Sequence, residues 1–368
     1  VSDAADKRVI DRTHERAITE LLVRICETPA PTFAEAARAA LVSALAAEAG
    51  LEPRIDEVGN VVVPVPGGRG PRLLLAAHLD TVFPADTDVT VRRAKGRLCA
   101  PGIGDNSAGL AVALYYLRTL EAGTCRPRLT FAATVGEEGL GDLRGIRHLL
   151  NGGEGTFDLM VALDGHLGTV VGTAVGSKRY RVQVRARGGH SWGDFPAPSA
   201  VHAVGEMIHA LNRLPLPHQP KTSLNVGEVW GGSGINVIAQ EAGFSLDLRS
   251  LEPQTLATVE QEAVAYLHKV ARRHRVQLEL VKVGDRPVAV VDNERLLMAA
   301  RRALGRLGED IRVAASSTDA NVAMAAGLPA IAFGVFRGGD AHRLDEWLEP
   351  ASLVVGLRAL EGLLCEVV

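Results

Sequence analysis

The chain has 368 residues, of which 47% are hydrophobic and 23% charged, and its 40 Lys and Arg against 43 Asp and Glu leave a formal charge of −3. That length favours two domains, and the composition suits a folded globular protein and excludes a disordered one. The balanced charge excludes an electrostatic footprint for nucleic acid, since the arginines between Arg179 and Arg187 alternate with other residues and form no continuous basic run.

From the start of the chain, residues 1–16 lack the apolar stretch of a secretory signal, and no apolar run reaches the roughly 18 residues that span a bilayer. A cytoplasmic protein with no membrane partner is therefore expected. Residues 15–50 carry helical periodicity in Leu21, Leu22, Ile25, Leu41, Leu45 and Ala46, and the Pro-containing break Thr28–Pro31 splits them into two helices. Continuous apolar runs at Leu73–Ala77, Leu129–Val135, Leu159–Leu163 and Ala330–Val335 predict strands buried on both faces, as in a mostly parallel sheet. Ser107–Leu120 reads as a helix, so the first 170 or so residues alternate strand and helix in α/β order.

The middle of the chain changes period. Tyr180, Val182, Val184 and Ala186 alternate with Arg181, Gln183, Arg185 and Arg187, and Phe244, Leu246 and Leu248 alternate likewise, which predicts half-buried antiparallel strands. Helices are expected at Ser199–Leu214 and Pro253–Arg273, then a strand at Val276–Val283 and a helix near Glu294–Leu307. The expected architecture is an α/β domain with a mostly parallel sheet and helices on both faces, formed by 1–174 and 285–368. A smaller α+β domain, 175–284, is inserted into it. Cys26, Cys99, Cys125 and Cys365 lie far apart without a Cys-x-x-Cys pair, so buried free thiols are expected.

Several apolar runs end in groups that bind cations: His78-Leu79-Asp80, Glu137-Glu138 and Asp164. The carboxyl edge of a parallel sheet is where α/β proteins build sites. Gly102-Ile103-Gly104-Asp105-Asn106 adds a carboxylate at a turn, and His342 follows Gly338-Gly339-Asp340-Ala341. Taken singly each has a plain structural explanation, such as helix capping by Asp105, Asn106 or Ser107. Together they concentrate acid at one sheet edge, which is prohibitive without cations. Gly231-Gly232-Ser233-Gly234-Ile235 has Ile where a nucleophile elbow needs its last glycine, which argues against a serine hydrolase.

These segments resemble the co-catalytic metallopeptidases that include peptidase T, carboxypeptidase G, dipeptidase V and the aminoacylases. The likeness rests on His78-Leu79-Asp80-Thr81-Val82, Gly104-Asp105-Asn106-Ser107-Ala108-Gly109, Gly136-Glu137-Glu138-Gly139, Leu163-Asp164-Gly165 and His342, all in the family's order. It implies two divalent ions per chain, with His78 and Asp164 on one, Glu138 and His342 on the other, and Asp105 bridging. It also implies attack by a hydroxide shared between the ions, with Glu137 as general base and Asp80 orienting His78. The residues alone do not distinguish Glu137 from Glu138 as ligand. Imidazole and carboxylate without thiolate suit Zn²⁺, and Mn²⁺ or Co²⁺ fit the same donors.

In the inserted segment, Gly188-Gly189-His190-Ser191 resembles the family's lid motif, which implies that His190 stabilises the oxyanion; Trp192 stands where many relatives carry a small residue. Gly234-Ile235-Asn236-Val237-Ile238 and Asp247-Leu248-Arg249 imply substrate contacts by Asn236 and Arg249. The resemblance also implies, from Asp at 164 where carboxypeptidase and deacylase members tend to carry Glu, an aminopeptidase or a di- or tripeptidase acting on small peptides. An N-acyl amino acid deacylase or carboxypeptidase of the same family stays open, as does a non-catalytic metal- or peptide-binding homologue. In relatives the lid domain often carries a dimer contact, which makes a homodimer a further expectation.

Overall fold

The computed structural model describes residues 2–121, 123–153 and 156–368. It divides into two compact units, Val1–Ala174 with Val290–Val368, and Val175–Ala289. The smaller unit takes in residues 285–289, which the sequence pattern assigned to the larger one, because its last strand continues through Arg286.

The larger unit is built on an eight-stranded sheet. Its spatial order is Arg54–Ile55, Val61–Val65, Arg128–Thr134, Arg72–His78, Leu159–Leu163, Ala330–Phe333, Thr169–Ala174 and Arg312–Ser316. The four central strands run parallel, and Val61–Val65 and Thr169–Ala174 pair antiparallel to their inner neighbours. Leu73, Leu75 and Ala77 join the main core, while Leu74 and Ala76 on the opposite face are equally buried. Both faces of the sheet are therefore covered, which is why these strands read as unbroken apolar runs. Because the central strands are parallel, His78, Thr134, Leu163 and Phe333 all end at one edge.

The expected helix at Ser107–Leu120 is Gly109–Arg118, preceded by a turn in which Asp105 and Asn106 leave helical geometry. Asn106 does the capping, taking the N–H of Gly109 on Oδ1 at 3.2 Å while its amide donates to the carbonyl of Leu163 at 2.7 Å. Asp105 is thus free of the capping role that the sequence also allowed.

The smaller unit is an antiparallel four-stranded sheet, ordered Thr222–Gly231, Glu241–Ser250, Gly176–Arg185 and Gln277–Arg286. Helices Ala200–Leu211 and Pro253–His274 bury Val204, Met207, Leu256 and Leu267 with Val182, Val184, Phe244 and Leu246 in its own core. In the two inner strands Tyr180, Val182 and Val184, and Phe244, Leu246 and Leu248, are buried in alternation, as the pattern predicts, whereas no residue of the outer strand Thr222–Gly231 is buried. All four cysteines are free, but only Cys26 is buried; Cys365 is exposed, which corrects the expectation that all four are interior. Among the described residues, no helix is long and apolar enough to cross a membrane.

Candidate metal centre

Strand Arg72–His78 delivers His78 to the sheet edge, where the imidazole is 3% exposed. Its Nε2 lies 3.0 Å from Oδ1 of Asp105, and Oδ2 of the same carboxylate lies 3.1 Å from Nε2 of His342. The His342 nitrogen is also 3.1 Å from Oε1 of Glu138. His78, Asp105 and Asp164 have ligand atoms within 4.8 Å of one another, as do Asp105, Glu138 and His342, and so do His78, Glu137 and Glu138. One carboxylate thus stands between two imidazoles, with a second carboxylate beside each.

Asp80 is fully buried, and its position differs from the simple picture of a carboxylate behind an imidazole. His78 Nδ1 is 3.0 Å from the backbone carbonyl of Asp80, while the Asp80 carboxylate stands 3.8 Å away. That carboxylate instead accepts the backbone N–H groups of Glu137 at 3.0 Å and Glu138 at 2.9 Å, and the hydroxyl of Thr32 at 2.9 Å. Asp80 therefore fixes the loop that presents both glutamates, and its main chain fixes the ring of His78.

The electrostatics follow from acid crowded into a buried place. Burial pushes the Asp164 carboxyl up to about 7, reinforced by the charge of Asp105 and then of Glu138 and Asp319. Burial also opposes the charge on Asp105, but hydrogen bonds to His342 and His78 hold it well below the usual carboxylate range. His342 is held up to about 10 by its contacts with Asp105 and Glu138. For His78, burial favours the neutral ring, yet the hydrogen bond and charge of Asp105 raise it well above an ordinary histidine. A cation held by these groups would have to displace the protons on them.

Sequence reasoning passed over Glu346, which is 1% exposed and accepts the backbone N–H groups of Gly102, Gly104 and Asp105 at 2.8–2.9 Å. Burial and the charge of Asp105 push it up to about 7, opposed by those three N–H donors. Its place four residues after His342 was the available signal. Asp319, buried, takes the hydroxyl of Thr134 at 2.5 Å behind the same edge.

The structure brings together His78, Asp80, Asp105, Glu137, Glu138, Asp164 and His342; His190, Asn236 and Arg249 belong to the smaller unit. There His190 sits in the short strand Gly189–His190, paired with Val237–Ile238. Its Nδ1 accepts the backbone N–H groups of Trp192 and Gly193, both at 3.2 Å, so the ring proton resides on Nε2. Asn236 is exposed and its carbonyl accepts the N–H of Ser191. Arg249 donates through Nε to Asp247 at 2.7 Å, and Arg179 reaches the other oxygen of that carboxylate.

A carboxylate-imidazole cluster on the carboxyl edge of a mostly parallel sheet, in a chain that also carries an inserted α+β domain, defines a metallohydrolase. The profile of peptidase family M20/M25/M40 matches residues 74–366, and the chain belongs to that family. Its fold matches that of a tripeptidase from Staphylococcus aureus subsp. aureus Mu50, with a TM-score of 0.80, 22% identity, and coverage of 96% of this chain and 98% of that one. It also matches the Bacillus subtilis YXEP protein, a dinuclear metal-binding peptidase, at a TM-score of 0.70 and 16% identity over 96% and 98% of the two chains. In sequence it is 26% identical to the acetylornithine deacetylase of Myxococcus xanthus over 80% of each chain.

Proposed function

We propose that this hydrolase is a di-metal exopeptidase that removes N-terminal residues from short peptides. The observation that carries the reading is the Asp105 carboxylate, with one oxygen 3.0 Å from His78 Nε2 and the other 3.1 Å from His342 Nε2. The donor set fits two divalent ions: the buried imidazole of His78 and that of His342 each face a different oxygen of Asp105, and a further carboxylate, Asp164 or Glu138, stands within ligand distance of each group. His78 and Asp164 would hold one ion, Glu138 and His342 the other, and Asp105 both. Imidazole and carboxylate donors without thiolate suit Zn²⁺, with Mn²⁺ and Co²⁺ as alternatives.

Two such ions, when bound, supply Lewis acidity that lowers the pKa of water and polarises a carbonyl. Glu137, 5% exposed and held by its backbone N–H on Asp80, is the base that takes the proton of the attacking water and delivers it to the departing amine. His190 supplies an Nε2–H donor for the oxyanion, because its Nδ1 is engaged as an acceptor. Arg249 and Asn236 hold the substrate's carboxylate or backbone, the guanidinium being preset by Asp247.

Aspartate at position 164 supports action on a free amino end, and the tripeptidase likeness is consistent with short peptides. The test is release of amino acids from di-, tri- and tetrapeptides by Zn²⁺- or Mn²⁺-loaded protein, read by mass spectrometry. No release from any of them would end this reading. The deacetylase relative supports a second one, hydrolysis of N-acyl amino acids by the same groups. Acetylating the peptide N-terminus separates the two, since an aminopeptidase loses activity and a deacylase keeps it.

A further inference from the structure

The turn that carries Asp105 has backbone N–H groups that no helix satisfies. Gly102 is in the left-handed region at φ 71, and Asp105 and Asn106 have non-helical backbones; the Ile103 N–H is taken by the Ala100 carbonyl, which leaves those of Gly102, Gly104 and Asp105. Glu346 collects them. Its Oε2 accepts Gly102, its Oε1 accepts both Gly104 and Asp105, and its own carbonyl accepts the N–H of Ala100 at 3.0 Å. The next residue, Trp347, pairs with Cys99 in a short antiparallel ladder. The fit leaves no slack: a Cβ on Gly104 would stand 2.7 Å from Glu346 Oε1 and 2.5 Å from the ring of Phe336.

We propose that Glu346 is a positioning residue, whose buried carboxylate fixes the Asp105 turn and thereby sets the spacing of both metal positions at once. The inference rests on the reading of Asp105 as the bridging ligand. Glu346 lies on the same segment as His342, so it ties two ligand-bearing stretches of chain into one rigid piece. A carboxylate can satisfy three amides because both its oxygens accept, whereas a carboxamide has one acceptor and presents donors at the other position. Displacement of the turn would move Asp105 relative to His78 and His342 together, which predicts loss at both ions and not at one.

Glu346→Gln is the test, being nearly isosteric but setting an NH₂ against the N–H of Gly102. Metal-free protein is titrated with Co²⁺, with calorimetry giving stoichiometry and visible absorption giving the ligand field. Wild type should take up two ions; the variant should bind both about tenfold or more weakly, as for other groups that orient metal ligands, with an altered absorption band. With excess metal, kcat should fall while KM stays near its original value. Leu360→Ala, which hollows the core of the same unit far from the turn in sequence, controls for general destabilisation and should lower Tm without changing either ion's affinity.

If Glu346→Gln lowers Tm but binds two ions as tightly as wild type, Glu346 is structural and the proposal fails. Weakening confined to one ion also overturns it. If wild-type protein itself binds no ions, the metal-centre reading fails first, and the inference with it.

Discussion

At the ends of the parallel strands, the carboxylates of Asp80, Asp105, Glu137, Glu138, Asp164 and Glu346 crowd around two imidazoles, His78 and His342. On the antiparallel sheet of the smaller unit and its helix Pro253–His274, acids and bases pair: Lys178 with Asp285, Lys282 with Glu260 and Asp285, and Arg179 and Arg249 with Asp247. The second arrangement, with four bases to three acids, nearly balances its own charge. The first is short of positive charge in a place where His78, Asp80, Glu137 and Glu138 are buried, an excess of acid that bound cations would offset. Charge balance, more than charge number, separates a structural network from a reactive site in this chain.

The largest expected effect comes from removing one negative charge from the unbalanced region without touching a proposed ligand. Glu137→Gln should keep both ions bound while turnover falls by about two orders of magnitude or more, the usual share of general acid-base work. Metal content and steady-state rates measured on one preparation check this. Unchanged turnover would reduce Glu137 to another acid in the crowd.

Next in size is the response to cations themselves. A divalent ion at about one hundred times its Kd should stabilise the metal-free wild type by about 2.7 kcal/mol, seen as a rise in Tm. Asp105→Asn should remove most of that rise, because it weakens both ion positions. An equal rise in wild type and variant would mean that the ion binds elsewhere.

The same imbalance gives a pH signature in metal-free protein. Asp164 sits at about 7 when folded, against roughly 3.9 for an unperturbed aspartate. Between those values the folded chain keeps a proton that the unfolded chain has released, so this group's contribution to stability falls as pH rises through the window. His342, held up to about 10, adds a decline that begins above the ordinary histidine value of about 6.5. Asp164→Asn should therefore match wild type near pH 4 and exceed it in Tm at pH 8, with the curves parting between about pH 4 and 7. Parallel curves across that range would mean that Asp164 ionises without cost.

The parts of this site that were legible in the sequence are those with a local cause. Leu73–Ala77 and Leu159–Leu163 announce themselves because both faces of their sheet are covered, and His78 and Asp164 follow directly from where those strands stop. Glu137 and Glu138 were visible as a motif, but the hydrogen bonds that aim their loop come from Asp80, 57 and 58 residues earlier. Glu346 meets Gly102 across 244 positions. An acid that accepts main-chain amides leaves no periodic trace, so Glu346 reads as part of an ordinary polar stretch. Val61–Val65 escaped notice because Pro64 interrupts its apolar run, and Arg312–Ser316 because as an edge strand it is largely exposed.

The smallest expected effect belongs to the balanced region. Lys282 reaches Glu260 at 2.8 Å and Asp285 at 3.2 Å, and the phenol of Tyr180 also donates to Glu260. The Lys282 and Asp285 side chains are 39% and 43% exposed, so solvent screens much of the attraction. Lys282→Met should cost less than about 1 kcal/mol in urea unfolding, and less still in high salt. It should leave ion stoichiometry and turnover as in wild type, because Lys178 stays beside Asp285 and Glu260 keeps the Tyr180 hydroxyl. A loss of several kcal/mol would show that this network is as unforgiving as the strand-end cluster, and charge balance would no longer distinguish the two.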